Sequence, residues 1–204
     1  MQSDCAVSGA AEAESWSVIR TTADDVLMRR IARGDKRAMQ ALFIRHNVRV
    51  YRFIARLIGP TAIAEDLVSE VFLDVWRKAS QFEGRSQAST WLLAIARFKA
   101  LSQLRNRVTD YLDDEMAQGI EDPGDDPEAI CEKRDTGALL RRCLLQLSLA
   151  HREVIDLVYY HERSMEEVAE ILQIPEATVR TRMFYARKRL AEILKAEGVE
   201  HAWA

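Results

Sequence analysis

The sequence predicts an all-α protein of two helical units joined by an acidic, flexible linker. Three observations point there. Apolar residues recur at spacings of three and four through most of the chain. No stretch alternates with period two for long enough to make a strand. Eight glycines and four prolines among 204 residues are too few for a turn-rich β fold. This length allows one or two domains with substantial cores.

Residues 1–21 are small and polar, with little to bury, and read as a disordered tail. A first helix follows, with Thr22 or Asp24 as its cap, Val26, Leu27 and Ile31 on its apolar face, and Gly34-Asp35 at its end. Ala38–Ile58 carries Leu42, Phe43, Val50, Phe53, Ile54 and Leu57 at helical spacing and stops at Gly59-Pro60. Ala62–Ser80 is a third helix and Thr90–Arg107 a fourth, with Phe82–Ser89 as a loop between them. Residues 22–107 form the first unit. Residues 108–135 form the linker, with Pro123-Gly124, Pro127 and ten acidic residues between Asp110 and Glu132 against no base. Helix resumes near Glu128, and Leu139, Leu140, Leu144 and Leu147 give a core stripe to a second unit at 136–197, followed by a short tail to 204. His151–Tyr160 reads as one further helix.

Within the second unit, Ser164–Leu190 has the form of a helix-turn-helix. Val168, Ala169 and Leu172 mark one apolar face, Gln173-Ile174-Pro175 breaks the helix, and Val179, Met183, Ala186 and Leu190 mark the next buried face. Gln173 stands at the turn position where glycine commonly supplies a left-handed conformation. Arg180, Thr181, Arg182, Phe184, Tyr185, Arg187 and Lys188 are left facing outward. Such a face suits a major groove, with arginine pairing to guanine edges or phosphate and Thr or aromatic groups touching thymine methyls. A solvated basic face is the plainer alternative.

The net charge of −3 looks wrong for a DNA binder until its distribution is read. Arg97–Arg107 and the second helix of the motif are basic without an acid, so local attraction to phosphate survives the acidic total. On the fourth helix, Arg97 and Lys99 sit beside Trp91, an association suited to melted DNA, although Trp91 also fits a core. The polar loop before it can offer hydrogen bonds to a base taken out of its stack. On the third helix Leu67, Val71 and Val75, joined by Phe72 and Trp76, make a broad apolar stripe, and Asp66, Glu70, Asp74 and Arg77 are among the residues that occupy the rest, either as a solvated face or as a docking surface.

Other chemistry is not indicated. There is no nucleotide-binding loop, nucleophile elbow or metalloprotease motif, so no enzyme and no cofactor are expected. Cys5, Cys131 and Cys143 lack pairing or metal spacing and read as reduced thiols, and the scattered histidines argue against zinc. No apolar run approaches the roughly 18 residues of a membrane span, and the N-terminus lacks a basic start and apolar core, which predicts a cytoplasmic protein.

Two segments, AEDLVSEVFLDVWRKASQFEGRSQASTWLLAIARFKAL and IPEATVRTRMFYARKRL, resemble regions two and four of the extracytoplasmic-function sigma factors of bacterial RNA polymerase, in that order and without a region three. The resemblance covers about residues 24–107 and 136–196. It implies a sigma region 2 helical bundle and a sigma region 4 helix-turn-helix. It implies that Asp66, Glu70, Asp74, Trp76 and Arg77 bind core polymerase at the β′ clamp helices, with the β flap as a second contact. The minus-ten element would be read by Phe82, Gly84, Arg85, Ser86, Ser89, Thr90 and Trp91, with Arg97 and Lys99 on nearby backbone. The seven outward residues of the helix-turn-helix would read the minus-thirty-five element, Arg187 and Lys188 lying nearer phosphate. Promoter DNA, core polymerase and an anti-sigma factor are the implied partners, without membrane insertion. A stand-alone helix-turn-helix regulator with an N-terminal dimerisation or ligand domain remains the alternative, and leaves FEGRSQASTWLLAIARFKAL unexplained.

Overall fold

The computed structural model describes residues 21–59, 61–110 and 131–199. The acidic segment between residues 111 and 130 and both termini, Cys5 included, lie outside the described residues. Eight α-helices are found among those described: α1 (Asp24–Ile31), α2 (Lys36–Ile58), α3 (Ala62–Lys78), α4 (Ala88–Asp110), α5 (Cys131–Leu145), α6 (Leu149–Ile155), α7 (Met165–Leu172) and α8 (Glu176–Ala196).

Helices α1 to α4 form one bundle around α2, which packs against α1, α3 and α4. Its centre is fully buried Leu27, Leu42, Phe53, Ile54, Leu92 and Leu93. Burying each such side chain contributes about 1.5–3 kcal/mol relative to leaving it in water. Capping differs from the expectation at α1. Ala23 occupies the N-cap without a side-chain bond. The Asp24 carboxylate instead reaches across to α2, pairing with Arg45 and lying 2.7 Å from Nε2 of buried His46. Burial acts to raise the Asp24 carboxyl, but His46 and Arg45 outweigh it and hold it below its ordinary value. Gly34 ends α1 at φ 84°, a left-handed conformation that costs glycine nothing. Asp35 then accepts from the Arg37 and Ala38 N–H groups to start α2.

Helices α5 to α8 form the second unit, in which α8 packs on α5, α6 and α7. Helix α4 runs to Asp110, beyond the predicted end at Arg107, and helix is present at Cys131, where the described residues resume. His151–Tyr160 is not one α-helix: α6 ends at Ile155 and a π-helical turn spans Asp156–Tyr160, closed by the His161 N–H donating to the Asp156 carbonyl at 3.1 Å. Such turns insert a residue and rotate the chain beyond them. Here Asp156 and His161, at the two ends of the turn, both meet the first unit. Cys143 is fully buried in α5, and burial, with the Glu197 carboxylate adding to it, pushes its thiol up, away from the reactive thiolate.

The helix-turn-helix is built as its residues suggest. Ser164 accepts from the Glu167 N–H at 3.1 Å while the Glu167 carboxylate accepts from the Ser164 N–H at 2.9 Å, a reciprocal cap on α7. Gln173 ends the helix at φ 54°, ψ 47°, and the Ile174 N–H donates back to the Ala169 carbonyl. A left-handed non-glycine residue costs about 1–2 kcal/mol, partly offset because glycine loses more chain entropy on folding. Gln173→Gly should therefore stabilise the protein by up to about 1 kcal/mol, read as a rise of a few degrees in Tm. An unchanged or lower Tm would show that the Gln173 side chain supplies something its backbone angle hides.

Candidate nucleic-acid interface

Helix α8 owes its outward face to its burial pattern. Val179, Met183, Ala186 and Leu190 turn fully inward, which leaves Arg180, Thr181, Phe184, Tyr185, Arg187 and Lys188 exposed and Arg182 half-buried. Phe184 and Tyr185 are 65% and 54% exposed and meet edge to face at 5.4 Å. Arg180 is held along the helix by Glu176 at 2.5 Å, and the Thr181 hydroxyl donates to the Ala177 carbonyl at 2.9 Å. No acid lies between Ala177 and Leu190, so the face presents cations and aromatic rings together.

On α3, Asp66, Glu70, Asp74 and Arg77 fall within one stripe at successive turns. Asp66, Glu70 and Arg77 are exposed, while Asp74 is half-buried between Lys78 at 3.1 Å and Lys99 at 3.5 Å. Burial acts to raise the Asp74 carboxyl, and the two lysines outweigh it and hold it low. Trp76 stands at the shoulder of the stripe, half-buried against the core. Leu73, 46% exposed within the stripe, was not singled out from the sequence. An apolar residue three after Glu70 and four before Arg77 on a charged face was the available signal.

The residues expected at the minus-ten element separate into three groups. Phe82, Gly84, Arg85 and Ser86 lie on a loop, with Gly84 at φ 71° and Arg85 outermost, paired with exposed Glu83 at 2.5 Å. The Phe82 ring packs at 5.6 Å on Trp91, so this tryptophan is half-buried beneath the loop. The loop is shorter than predicted because α4 already begins at Ala88, which places Ser89 inside the helix.

Ser89, Thr90 and Arg97 face the second unit. Ser89 and Thr90 are buried. The Thr90 hydroxyl donates to Glu167 Oε1 at 2.8 Å. Arg163 donates to Gln87 Oε1 and Ser89 Oγ at 3.1 Å and to Glu167 Oε1 at 2.9 Å, gathering loop and helix-turn-helix at one guanidinium. Arg97 forks onto Glu153 of α6 at 2.7 and 3.3 Å, and the Glu153 side chain is 3% exposed. Lys99, expected to point outward to DNA backbone, turns to α3 instead and binds Glu70 at 3.0 Å.

The contact between the units continues beyond these residues. Arg56 donates to Asp156 at 2.5 Å and lies 3.9 Å over the Tyr160 ring, and Phe53 meets His161 edge to face at 5.3 Å. Arg152 donates to the carbonyls of Arg56, Leu145 and Leu147 at 3.0–3.4 Å. The surface expected at the minus-ten element is thus partly used to hold the second unit.

The Glu167 carboxyl lies at this contact. Burial acts to raise it, but the Ser164 N–H, the Thr90 hydroxyl and Arg163 outweigh burial and hold it below its ordinary 4.5. A carboxyl lowered in the folded state stabilises that state fully above the unfolded value and loses the contribution as pH falls through the lowered one. The melting temperature of the wild type should exceed that of Glu167→Gln by a constant margin near neutral pH, and the margin should shrink below about pH 4.5. A margin independent of pH would remove the charge on Glu167 from the account.

Among the described residues no group of three His, Cys, Asp or Glu could hold a metal ion, and no helix is long and apolar enough to cross a membrane.

Comparison with known proteins assigns these units. Sigma-70 region 2 matches residues 42–109, and Sigma-70 region 4 matches residues 143–192. The extracytoplasmic-function RNA polymerase sigma factor SigK of Mycobacterium tuberculosis (strain H37Rv) is 29% identical over 173 residues, covering 83% of this chain and 92% of the relative. SigW of Bacillus subtilis (strain 168) is 28% identical over 177 residues, covering 82% and 95%. The sigma factor RpoE of Bartonella quintana, solved with the anti-sigma factor NepR, superposes with a TM-score of 0.65 at 27% identity, covering 76% of this chain and 96% of that one. CnrH, solved with the cytosolic domain of CnrY, shares the fold at a TM-score of 0.65 and 24% identity, over 86% and 99% of the two chains. Region 2 accounts for the N-terminal helices that a stand-alone regulator would leave unexplained. With both regions present in order and together spanning more than half of its length, this chain belongs to the sigma-70 family, in the extracytoplasmic-function group, and is a transcription-initiation factor rather than an enzyme.

Proposed function

We propose that this chain binds core RNA polymerase in the cytoplasm and directs it to promoters, using residues 22–107 for the minus-ten element and residues 136–197 for the minus-thirty-five element. The observation that carries the reading is that one chain joins a region 2 bundle bearing a charged stripe to a region 4 helix-turn-helix with an acid-free outward face. Asp66, Glu70, Asp74, Arg77 and the shoulder residue Trp76 dock on the β′ clamp helices, and region 4 meets the β flap. Arg180, Thr181, Arg182, Phe184 and Tyr185 read bases, and Arg187 and Lys188 hold phosphate.

The packed arrangement is then a resting one. Ser89, Thr90 and Arg97 are occupied by Arg163, Glu167 and Glu153, so the minus-ten surface becomes complete only when the two units part. Relatives solved with anti-sigma partners, RpoE with NepR among them, support such a partner here. Adding the protein to core polymerase should give run-off transcripts from promoters selected by the holoenzyme. Absence of any promoter-dependent gain over core alone would defeat the reading, and tight polymerase-independent binding to a palindromic duplex would favour the stand-alone regulator instead.

A further inference from the structure

A cavity of about 310 Å³ opens in the second unit, where α8 meets α5 and α6 with the π-helical turn that follows it. Leu140 and Leu144 of α5, Ile155 of α6 and Leu190 of α8 wall it, with the rings of Tyr159 and Tyr160 added from the turn. Helix packing does not close it. Leu144, Ile155 and Leu190 are buried, yet Tyr159 and Tyr160 stay 43% and 42% exposed. Small-molecule sites are commonly of this kind, mostly apolar and about 300–1,000 Å³ in volume.

Charge narrows the choice of occupant. Arg187 is the one charged residue in the lining, so the site offers a cation and no acid. Elsewhere on α8, Arg180 and Arg189 pair with Glu176 and Glu192. Arg187 is exposed and pairs with no acid among the described residues. Leucine and tyrosine walls beside an unpaired guanidinium match a flat apolar body that carries one carboxylate. The rings pack on the walls, and the carboxylate accepts both arms of Arg187.

Position gives the site a use. Tyr160 is also the ring over which Arg56 of the first unit lies, at 3.9 Å, so one wall of the cavity belongs to the contact between units. Arg187 belongs to the outward face of α8. An occupant therefore touches the surface turned to DNA and the surface turned to the first unit at once.

We propose that this cavity is an effector site for a small aromatic carboxylate, whose binding withdraws Arg187 from DNA phosphate. The site itself stands on the cavity and its single cation. Its effect on promoter binding rests on the sigma-factor reading above. Arg187 cannot serve a bound carboxylate and a phosphate together, so the ligand removes one cation from the DNA contact and lowers affinity without regard to sequence.

The test uses the full chain and two probes of one shape, 1-naphthoate and the uncharged 1-naphthalenemethanol. Binding is followed by calorimetry and by the rise in Tm that a ligand of the folded state brings. Naphthoate should bind at one site, about ten-fold more tightly than naphthalenemethanol, the factor that a charge-assisted hydrogen bond supplies. Arg187→Gln should abolish that advantage and leave naphthalenemethanol binding as it was. Ala191→Trp, which grows into the cavity from an exposed position, should block both probes with little change in Tm. In holoenzyme, saturating naphthoate should weaken promoter binding several-fold, and Ala191→Trp should make it insensitive. Absence of saturable naphthoate binding, or equal affinity for the two probes, overturns the proposal. So does naphthoate binding that survives Ala191→Trp, which would lie elsewhere on the chain. Binding that appears only after Trp203→Ala overturns it too, and gives the cavity to the chain's own residues 200–204. If the wild type ignores naphthoate and Ala191→Trp loses core polymerase, the occupant is a segment of polymerase and the proposal is again overturned. Naphthoate binding with unchanged promoter affinity overturns the effector role. A holoenzyme that selects no promoter overturns the sigma-factor reading instead, a result separate from naphthoate binding, which is measured without polymerase or DNA.

Discussion

Arg97→Ala should part the two units. Glu153, with its side chain 3% exposed, would be left in the interface without the guanidinium that satisfies both its oxygens. Breaking a buried pair from one side costs about 3–5 kcal/mol, most of it the stranded charge rather than the lost attraction. The Arg97 side chain is 20% exposed, so water screens part of this and the lower end of the range applies. A penalty of about 3 kcal/mol still shifts an intramolecular equilibrium by a factor of about 100. Small-angle scattering should report a larger radius for Arg97→Ala than for the wild type. Arg97→Leu with Glu153→Leu should recover the compact form, because two apolar side chains leave no charge stranded. An unchanged radius in the single variant would mean that Arg56–Asp156 and the Arg163 hub hold the units by themselves. Arg97 is also assigned to promoter backbone, so activity is better tested with Glu153→Gln. That change loosens the contact and leaves the arginine free to bind DNA.

The same residues mark where sequence reasoning succeeds and where it stops. The helix-turn-helix is legible because its determinants are local. The Ser164–Glu167 cap, the left-handed Gln173 and the inward run from Val179 to Leu190 all lie within about thirty residues, and each follows from helical period and turn chemistry. The contact between units is not legible in that way. Arg97 and Glu153 are 56 residues apart, and Arg56 and Asp156 are 100 apart. Each looks like ordinary surface charge in its own segment. One trace was available: in HREVIDLVYY the acids Glu153 and Asp156 fall among Val154, Ile155 and Leu157, on a helix with little surface to spare. Acids on a largely buried helix need cations from elsewhere. The pairing of Lys99 is hidden for a related reason. Helical spacing says that it leaves the core, but the acids that capture it belong to α3.

The same local logic bears on promoter reading by α8, where the effect expected of a single side chain is largest at Arg180. Its partner Glu176 lies one turn back on the same helix, and the two side chains are 71% and 43% exposed. An exposed pair of this kind contributes at most about 1 kcal/mol and gives way to a better acceptor. A guanine edge is one, since it takes both arms of the guanidinium and discriminates against the wrong base by about 1–3 kcal/mol. Arg180→Ala should therefore weaken holoenzyme binding to its promoter by about 5- to 150-fold and flatten the preference at one base pair of the minus-thirty-five element. Lys188→Ala, at a position proposed to hold phosphate, should weaken all sequences alike and reduce the slope of log affinity against log salt by about one. Glu176→Ala supplies the control, because it frees Arg180 without touching the groove and should leave affinity unchanged or slightly raised. If Arg180→Ala instead lost affinity evenly across all sequences, Arg180 would be a phosphate contact. Base reading would then fall to Arg182, Phe184 and Tyr185, of which half-buried Arg182 has the least freedom to move and would set the register of the helix in the groove.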